Sequence, residues 1–214
     1  MNYSTLVAAE TVAGSIKFRM NWGRLDSAGI VEDAQAWIYN KLRVREMVTT
    51  SDVVIAQYAT SAACPSRFLD PLHFFIPGYV NRIRLRDLDS FKTLLAYDQS
   101  ALLPIAMPTR AAIEGSAILL NSRADIAYTA KLTHYQSLAP LAATTNETNF
   151  LTDRYPTLLR YACLKFAAEE RKDNELIDAY EKRALDAIAE IAVMDDLSMR
   201  GQEIDFGWEA TDGD

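Results

Sequence analysis

The sequence predicts an α+β protein: mainly a helical bundle built from N- and C-terminal helices, with a small antiparallel β insertion and an extended C-terminal arm. Three observations predict it. Towards both ends of the chain, apolar residues recur at three- and four-residue steps, as in helices with one buried face. In the middle, prolines at 65, 71, 77, 104 and 108 punctuate short β-branched or aromatic segments, which is the pattern of strands and turns. After Met199-Arg200-Gly201 the helical period stops, and Ile204, Phe206 and Trp208 alternate with acids and Gly207. No linker separates the blocks, so helices from both ends are expected to pack together with the sheet inserted between them. The expected division is 1–64 for the N-terminal helices, 65–136 for the β insertion, 149–194 for the C-terminal helices and 195–214 for the acidic arm.

The elements follow in order. Ser4 or Thr5 can cap a short helix over Leu6–Ala13 that Gly14 ends. Ser15–Leu25 has no clear period and reads as a loop. Asp26 or Ser27 then caps a helix whose Ile30, Val31, Ala34, Trp37, Ile38 and Leu42 share one face. Thr49–Pro65, rich in Ser, Thr and Ala, is left open. Candidate strands are His73–Ile76, stopped by Pro77-Gly78, then Val80–Leu85, Ala111–Glu114, Ala117–Leu120 and Ala127–Tyr135. Glu114-Gly115-Ser116 reads as one tight hairpin and Asn121–Asp125 as a second. Asn149 or Asp153 caps a further helix, with Pro156 in a first turn where its missing N–H has no partner to lose. Leu158–Ala168 is apolar apart from Arg160 and Lys165, so that helix should be buried on more than one side. After a polar break at Arg171–Asn174, the last helix puts Leu176, Ile177, Tyr180, Ala184, Ala187, Ile188 and Ile191 on one face, with an Asp178–Lys182 pair on the other.

A chain of 214 residues, 50% hydrophobic and 24% charged, has the composition of a globular protein with a substantial core. No apolar run approaches the roughly 18 to 20 residues of a membrane span. Leu6–Ala13 lacks the basic start and long apolar centre of a signal peptide, so neither membrane residence nor export is expected. The net charge is −7, and from Asp195 onward seven acids face Arg200 alone, a net −6. The body is therefore nearly neutral, and the basic footprint of a DNA-binding protein is absent.

The inventory for chemistry is thin. Two cysteines, Cys64 and Cys163, cannot build a disulfide framework or a four-ligand metal site. His73 and His134 lie far apart in sequence, without His-Glu-x-x-His or paired Cys spacing, and read as ordinary strand-end residues. There is no Gly-x-Ser-x-Gly elbow and no phosphate-binding loop. The adjacent acids Glu169-Glu170 and Asp195-Asp196 point in different directions on a helix. No catalytic, cofactor-binding or metal-ligating residue is assigned, and neither a cofactor nor enzymatic turnover is expected.

Two features bear on partners. On a strand, Arg82, Arg84 and Arg86 project together while Ile83 and Leu85 face inward. They are either a solvated face neutralised by Asp87 and Asp89 or a contact with acidic groups of another subunit, where the guanidinium fork is favoured. Nucleic-acid contact ranks third, because nothing else in the body reinforces the charge. The second feature is the tail. A purely solvating tail has no need of Phe206 and Trp208, and an alternating segment suits docking as an extended strand, mobile until a partner orders it.

The run Asn149-Phe-Leu-Thr-Asp-Arg-Tyr-Pro-Thr-Leu-Leu-Arg-Tyr-Ala162, followed by a charged break and a helix ending at Ala192, resembles the C-terminal half of tailed-phage head-to-tail adaptors. The upstream order fits as well: a helix with Ala34-Gln-Ala-Trp37-Ile38, a proline-rich β insertion, and a strand ending near Thr133-His134-Tyr135. The resemblance covers about residues 26–194 and is carried by packing and capping residues. It implies a virion protein, made in the host cytoplasm, that forms a homo-oligomeric ring, usually matching the twelvefold portal. Such a ring sits beneath the portal, carries a downstream tail component and lets viral DNA pass without sequence-specific binding. It also implies that Ile204, Phe206 and Trp208 form an arm reaching onto the portal. The competing readings are a head-closure or tail-completion ring that does not touch the portal, a small envelope-degrading hydrolase of the tail, and a DNA-binding accessory.

Overall fold

The computed structural model describes residues 1–79, 82–97, 103–143 and 145–200. The chain opens with helices α1 (Tyr3–Val7), α2 (Ile16–Met20) and α3 (Ser27–Lys41), then a 3-10 turn at Arg45–Met47. Strands β1 (Val48–Ile55), β2 (Ser61–Ala63), β3 (Phe68–Phe75) and β4 (Arg82–Leu85) precede helix α4 (Leu88–Tyr97). Strands β5 (Arg110–Glu114), β6 (Ala117–Leu120) and β7 (Tyr128–Gln136) follow, and α5 (Phe150–Arg154), α6 (Pro156–Arg171) and α7 (Asn174–Arg200) close the order. They form two compact units, residues Met1–Glu46 with those from Ala139 onward, and residues Met47–Leu138.

The helical unit is built around α6. Pro156 stands in its first turn, and Leu159, Ala162, Cys163, Ala167 and Ala168 are fully buried. Contacts with α2, α3, α5 and α7 explain why this helix needs apolar residues on several sides. Its short side chains let those neighbours approach closely. The ends are set locally. The Asn149 side chain accepts from the N–H groups of Leu151 (3.0 Å) and Thr152 (3.3 Å), and the Thr152 hydroxyl accepts from the Asn149 N–H (2.8 Å), a reciprocal cap. Asp26 caps α3 through the Gly29 N–H, and Ile30, Val31, Ala34 and Ile38 are buried along it. Gln35, also buried, accepts from the Leu141 N–H (3.2 Å) and donates to the Val31 carbonyl (3.2 Å), so its amide is satisfied away from water. On α7, Ala184 and Ile191 are buried, while Leu176, Ile177, Tyr180, Ala187 and Ile188 are half-buried beside them.

The second unit is a seven-stranded sheet in the order β1-β7-β3-β4-β5-β6-β2. Every pairing is antiparallel except β4 with β5. The outer strands β1 and β2 pack beside each other, so the sheet curls into a nearly closed, barrel-like form. Its inner face holds Val53, Ile55, Phe74, Ile83, Ile118, Leu120 and Leu132. The β5–β6 hairpin turns at Glu114-Gly115-Ser116, with Gly115 at φ +58°, a left-handed conformation that glycine adopts without Cβ strain.

The expected fold class is therefore corrected: 43% of the described residues are helical, and a mainly helical bundle with a small β insertion is not what forms. Residues 49–65 carry no helical period because they hold β1 and β2, the two strands that bring the sheet edges together. Their Ser and Thr residues suit a half-exposed pleated surface: along β1 exposed residues alternate with half-buried ones, and only Val53 and Ile55 are fully buried. Asn121–Asp125 is not a hairpin. β6 pairs with β5 and β2, whereas β7 pairs with β1 and β3. Helix α7 continues through Arg200, so residues 195–200 are not an extended arm, and 201–214 lie outside the described residues. Near the N-terminus Asn2 caps α1, and the expected loop contains α2, capped by Ser15.

Candidate functional site

Pairing, more than net charge, separates the units. Residues 47–138 carry eight Lys/Arg against seven Asp/Glu, a net +1, while the rest of the chain carries fourteen against twenty-two, a net −8, of which −6 falls from Asp195 onward. In the helical unit, basic side chains close on acids: Arg45 on Asp195 (3.2 Å), Lys165 on Glu169 (2.7 Å) and Arg154 on Glu46. The sheet unit also has pairs, Lys92–Glu114 and Lys131–Asp52. Its β4 row is different.

Arg82 and Arg84 are exposed on one face of β4, Ile83 is buried on the other, and Arg86 is exposed just beyond the strand. Among the described residues no carboxylate lies within ion-pair distance of any of the three. Asp87 is engaged elsewhere. Its carboxylate accepts from the Ser90 N–H (2.8 Å) at the start of α4, and that bond, with Arg86 a minor contributor, holds its pKa below the ordinary value. Beside the arginines lies a cleft of about 410 Å³, lined by Leu72, His73 and Phe74 of β3 and residues 82–86. The cleft exists because the two strands part. They pair only at Phe74–Ile83 and Phe75–Arg82, after which β4 continues in register with β5 through Arg84–Arg110 and Leu85–Ala111. On the β3 side, register shifts between Phe68 and Asp70 and between Pro71 and His73 mark bulges, which raise local twist. Pro71, with no N–H to donate, suits a strand edge.

A second concavity, of about 420 Å³, lies in the helical unit between Tyr155, Pro156 and Leu158 at the start of α6 and Ala187, Ile191 and Met194 of α7. Met194 is 64% exposed beside it. Burial, then the nearby Glu46 carboxylate, raises the Tyr155 hydroxyl above its ordinary pKa.

The residues considered for chemistry do not converge. His73 is exposed, opposite Thr133, whereas His134 is fully buried with its Nδ1 3.1 Å from the Leu132 carbonyl and its ring on Phe68. Cys163 is buried in α6 and its thiol is pushed up to about 12 by desolvation, so it stays protonated at neutral pH. Partial burial raises Cys64 as well. Among the described residues no three His, Cys, Asp or Glu side chains gather as metal ligands would. Of the expected surfaces, Arg82, Arg84 and Arg86 share one exposed edge, while Ile204, Phe206 and Trp208 lie outside the described residues. Sequence reasoning missed both concavities. The α6–α7 groove leaves one trace, the pair Val193-Met194 where a polar helix face is due. The cleft beside β4 leaves none, since it arises from bulges and a change of strand partner.

A family model described as SU10 adaptor protein matches residues 1–204, which takes in both units. The chain belongs to that family. The SU10 adaptor family is a phage head-tail adaptor family, and its member here is a structural protein of the virion that assembles with phage head and tail components. No curated protein matches the adaptor. No described helix is long and apolar enough to cross a membrane.

Proposed function

We propose that the adaptor forms a twelvefold ring beneath the portal, connects capsid to tail, lines the channel through which DNA passes and carries the downstream tail component. The observation that carries this reading is the family match over residues 1–204, which spans both units. The charge distribution is compatible with it. A surface without a broad basic field does not hold phosphates, so a duplex slides past it. In this reading the adaptor works by assembly, without cofactor, metal or turnover. Arg82, Arg84 and Arg86 make a subunit contact, and the arm with Ile204, Phe206 and Trp208 docks on the portal, its aromatic anchors offsetting the entropy of ordering.

Co-sedimentation with portal rings tests it. The full-length adaptor should pellet with the portal, a chain lacking residues 201–214 should bind much less, and Trp208→Ala should account for much of that loss. Equal binding by full-length and shortened chains would remove the portal-docking role of the arm. Peptidoglycan hydrolysis by the purified adaptor, abolished by a single carboxylate change, would overturn the non-enzymatic reading.

A further inference from the structure

We propose that the cleft between β3 and β4 seats the C-terminal segment Ile204–Trp208 of a second copy of this chain, added to the free edge of β3 as an extended strand. The proposal rests on the reading of Arg82, Arg84 and Arg86 as a subunit contact, and it names what they contact.

Three properties of the cleft select its occupant. Below the last paired residue, Phe74, the β3 segment that includes Leu72 and His73 has β7 on one side and no ladder partner on the β4 side. A free strand edge offers main-chain donors and acceptors to an added strand. The floor is apolar: Phe74 and Ile83 are buried, Leu85 is half-buried and Leu72 is 37% exposed. The rim carries the three arginines, which have no ion-pair partner among the described residues. An occupant must therefore be extended, apolar on one face and acidic on the other.

The segment Glu203-Ile204-Asp205-Phe206-Gly207-Trp208-Glu209 has that alternation. In a strand, Ile204, Phe206 and Trp208 share one face, and Glu203, Asp205 and Glu209 share the other. With the apolar side chains on the floor, the acids lie on the outward face that carries Arg82 and Arg84, where carboxylate–guanidinium pairs are favoured. A nucleic-acid backbone would match the rim but leave the floor uncovered. A second copy is the donor proposed here, because the arginine row is read as a subunit contact. Helix α7 has 27 residues against 16 in α6, and its Ile191 and Met194 already lie beside the first turn of α6. At about 1.5 Å per residue, the part of α7 beyond Met194 carries the chain roughly another 9 Å before residue 201. The terminal segment thus leaves from a helix that projects past its own packing partner. One arm cannot occupy the portal and a neighbour's cleft together, so the cleft holds the arm in the ring that has not yet met a portal.

The test uses a labelled peptide of residues 201–214 titrated into the full chain carrying Trp208→Ala, followed by fluorescence anisotropy without portal. Saturable binding is expected. It should weaken by about tenfold or more with Arg84→Glu in the chain, and by a similar factor on raising salt from low to molar concentration, because the pairs lie at an exposed rim. Asp205→Pro in the peptide should weaken it too, by removing a main-chain donor from the added strand. A mixture of Leu72→Cys and Phe206→Cys chains should give an oxidised heterodimer that neither gives alone. No peptide binding, or binding indifferent to Arg84→Glu, overturns the proposal. So does a Leu72→Cys/Phe206→Cys double variant that crosslinks only within one chain. If Arg84→Glu blocks ring assembly while the peptide binds unchanged, the arginine contact stands and the arm is not its occupant. If Arg84→Glu assembles normally, the subunit-contact reading itself falls.

Discussion

The helical and sheet units hold themselves together by opposite means. In the helical unit, several helix ends are fixed within a few residues: Asn149 caps α5, Asp26 caps α3, and Lys172 closes α6 in a left-handed conformation with its N–H on the Ala168 and Glu169 carbonyls. In the sheet unit the pairs that matter are remote, Val53 with Ala130 or Ser61 with Leu119, and the arrangement exists only once distant strands meet. Their surfaces differ as well. The helical unit's arginines at 45 and 154 are paired, while the sheet unit leaves an arginine row open. The helix ends are set by their own neighbours, whereas the strand mismatch at β3 and β4 leaves a place for something else.

The largest expected effect lies in the sheet core. Phe74 is 1% exposed, and Phe74→Ala should cost about 3–5 kcal/mol, the usual penalty for an aromatic core truncation. Hydrogen exchange should show that loss across β3 and β7 while α6 amides keep their protection. Equal loss of protection in both units would mean that they unfold together.

Next in size is the alkaline behaviour of the helical core. The folded Cys163 thiol keeps its proton up to about 12, whereas the unfolded chain loses it near 9.0. Between those values the unfolded state binds fewer protons, so stability falls as pH rises, by about 1.4 kcal/mol per unit from this group. Denaturant titrations from pH 8 to 11 should show that slope flattened in Cys163→Ala, whatever the variant's own offset. An unchanged slope would mean that Cys163 opens to solvent before global unfolding.

Smaller still is the cap. Asn149→Ala should cost about 1–2 kcal/mol in chemical denaturation, because two N–H groups lose their acceptor. The smallest expected effect is Arg84→Glu, whose exposed position should keep folding stability within about 0.5 kcal/mol of the parent. Ring assembly should nonetheless suffer. A large thermal shift in that variant would mean that the row serves folding.

This contrast also explains what could be read in advance. The buried faces of α3, α6 and α7, and the roles of Asp26, Asn149 and Pro156, are local and were legible in residue spacing. The hairpin at Gly115 was legible for the same reason. Helix α4 left a signal that was overlooked: Asp87 before Leu88, Phe91 and Leu95 is a cap followed by helical spacing, and Phe91 is fully buried. The closure of β1 on β2, the true partners of β6 and β7, and the cleft at Leu72–Phe74 depend on pairings between distant segments that no local window contains. The arginines were visible as a row, yet their lack of partners needed the position of Asp87 at the start of α4.

Imaging of the assembled vertex shows whether the adaptor forms a ring on the portal, since position and stoichiometry are read together. A twelve-copy ring of this chain between portal and tail, with DNA on its axis, is the expected result. Density for the chain elsewhere in the particle, or a ring that meets only other tail proteins and never the portal, would contradict it.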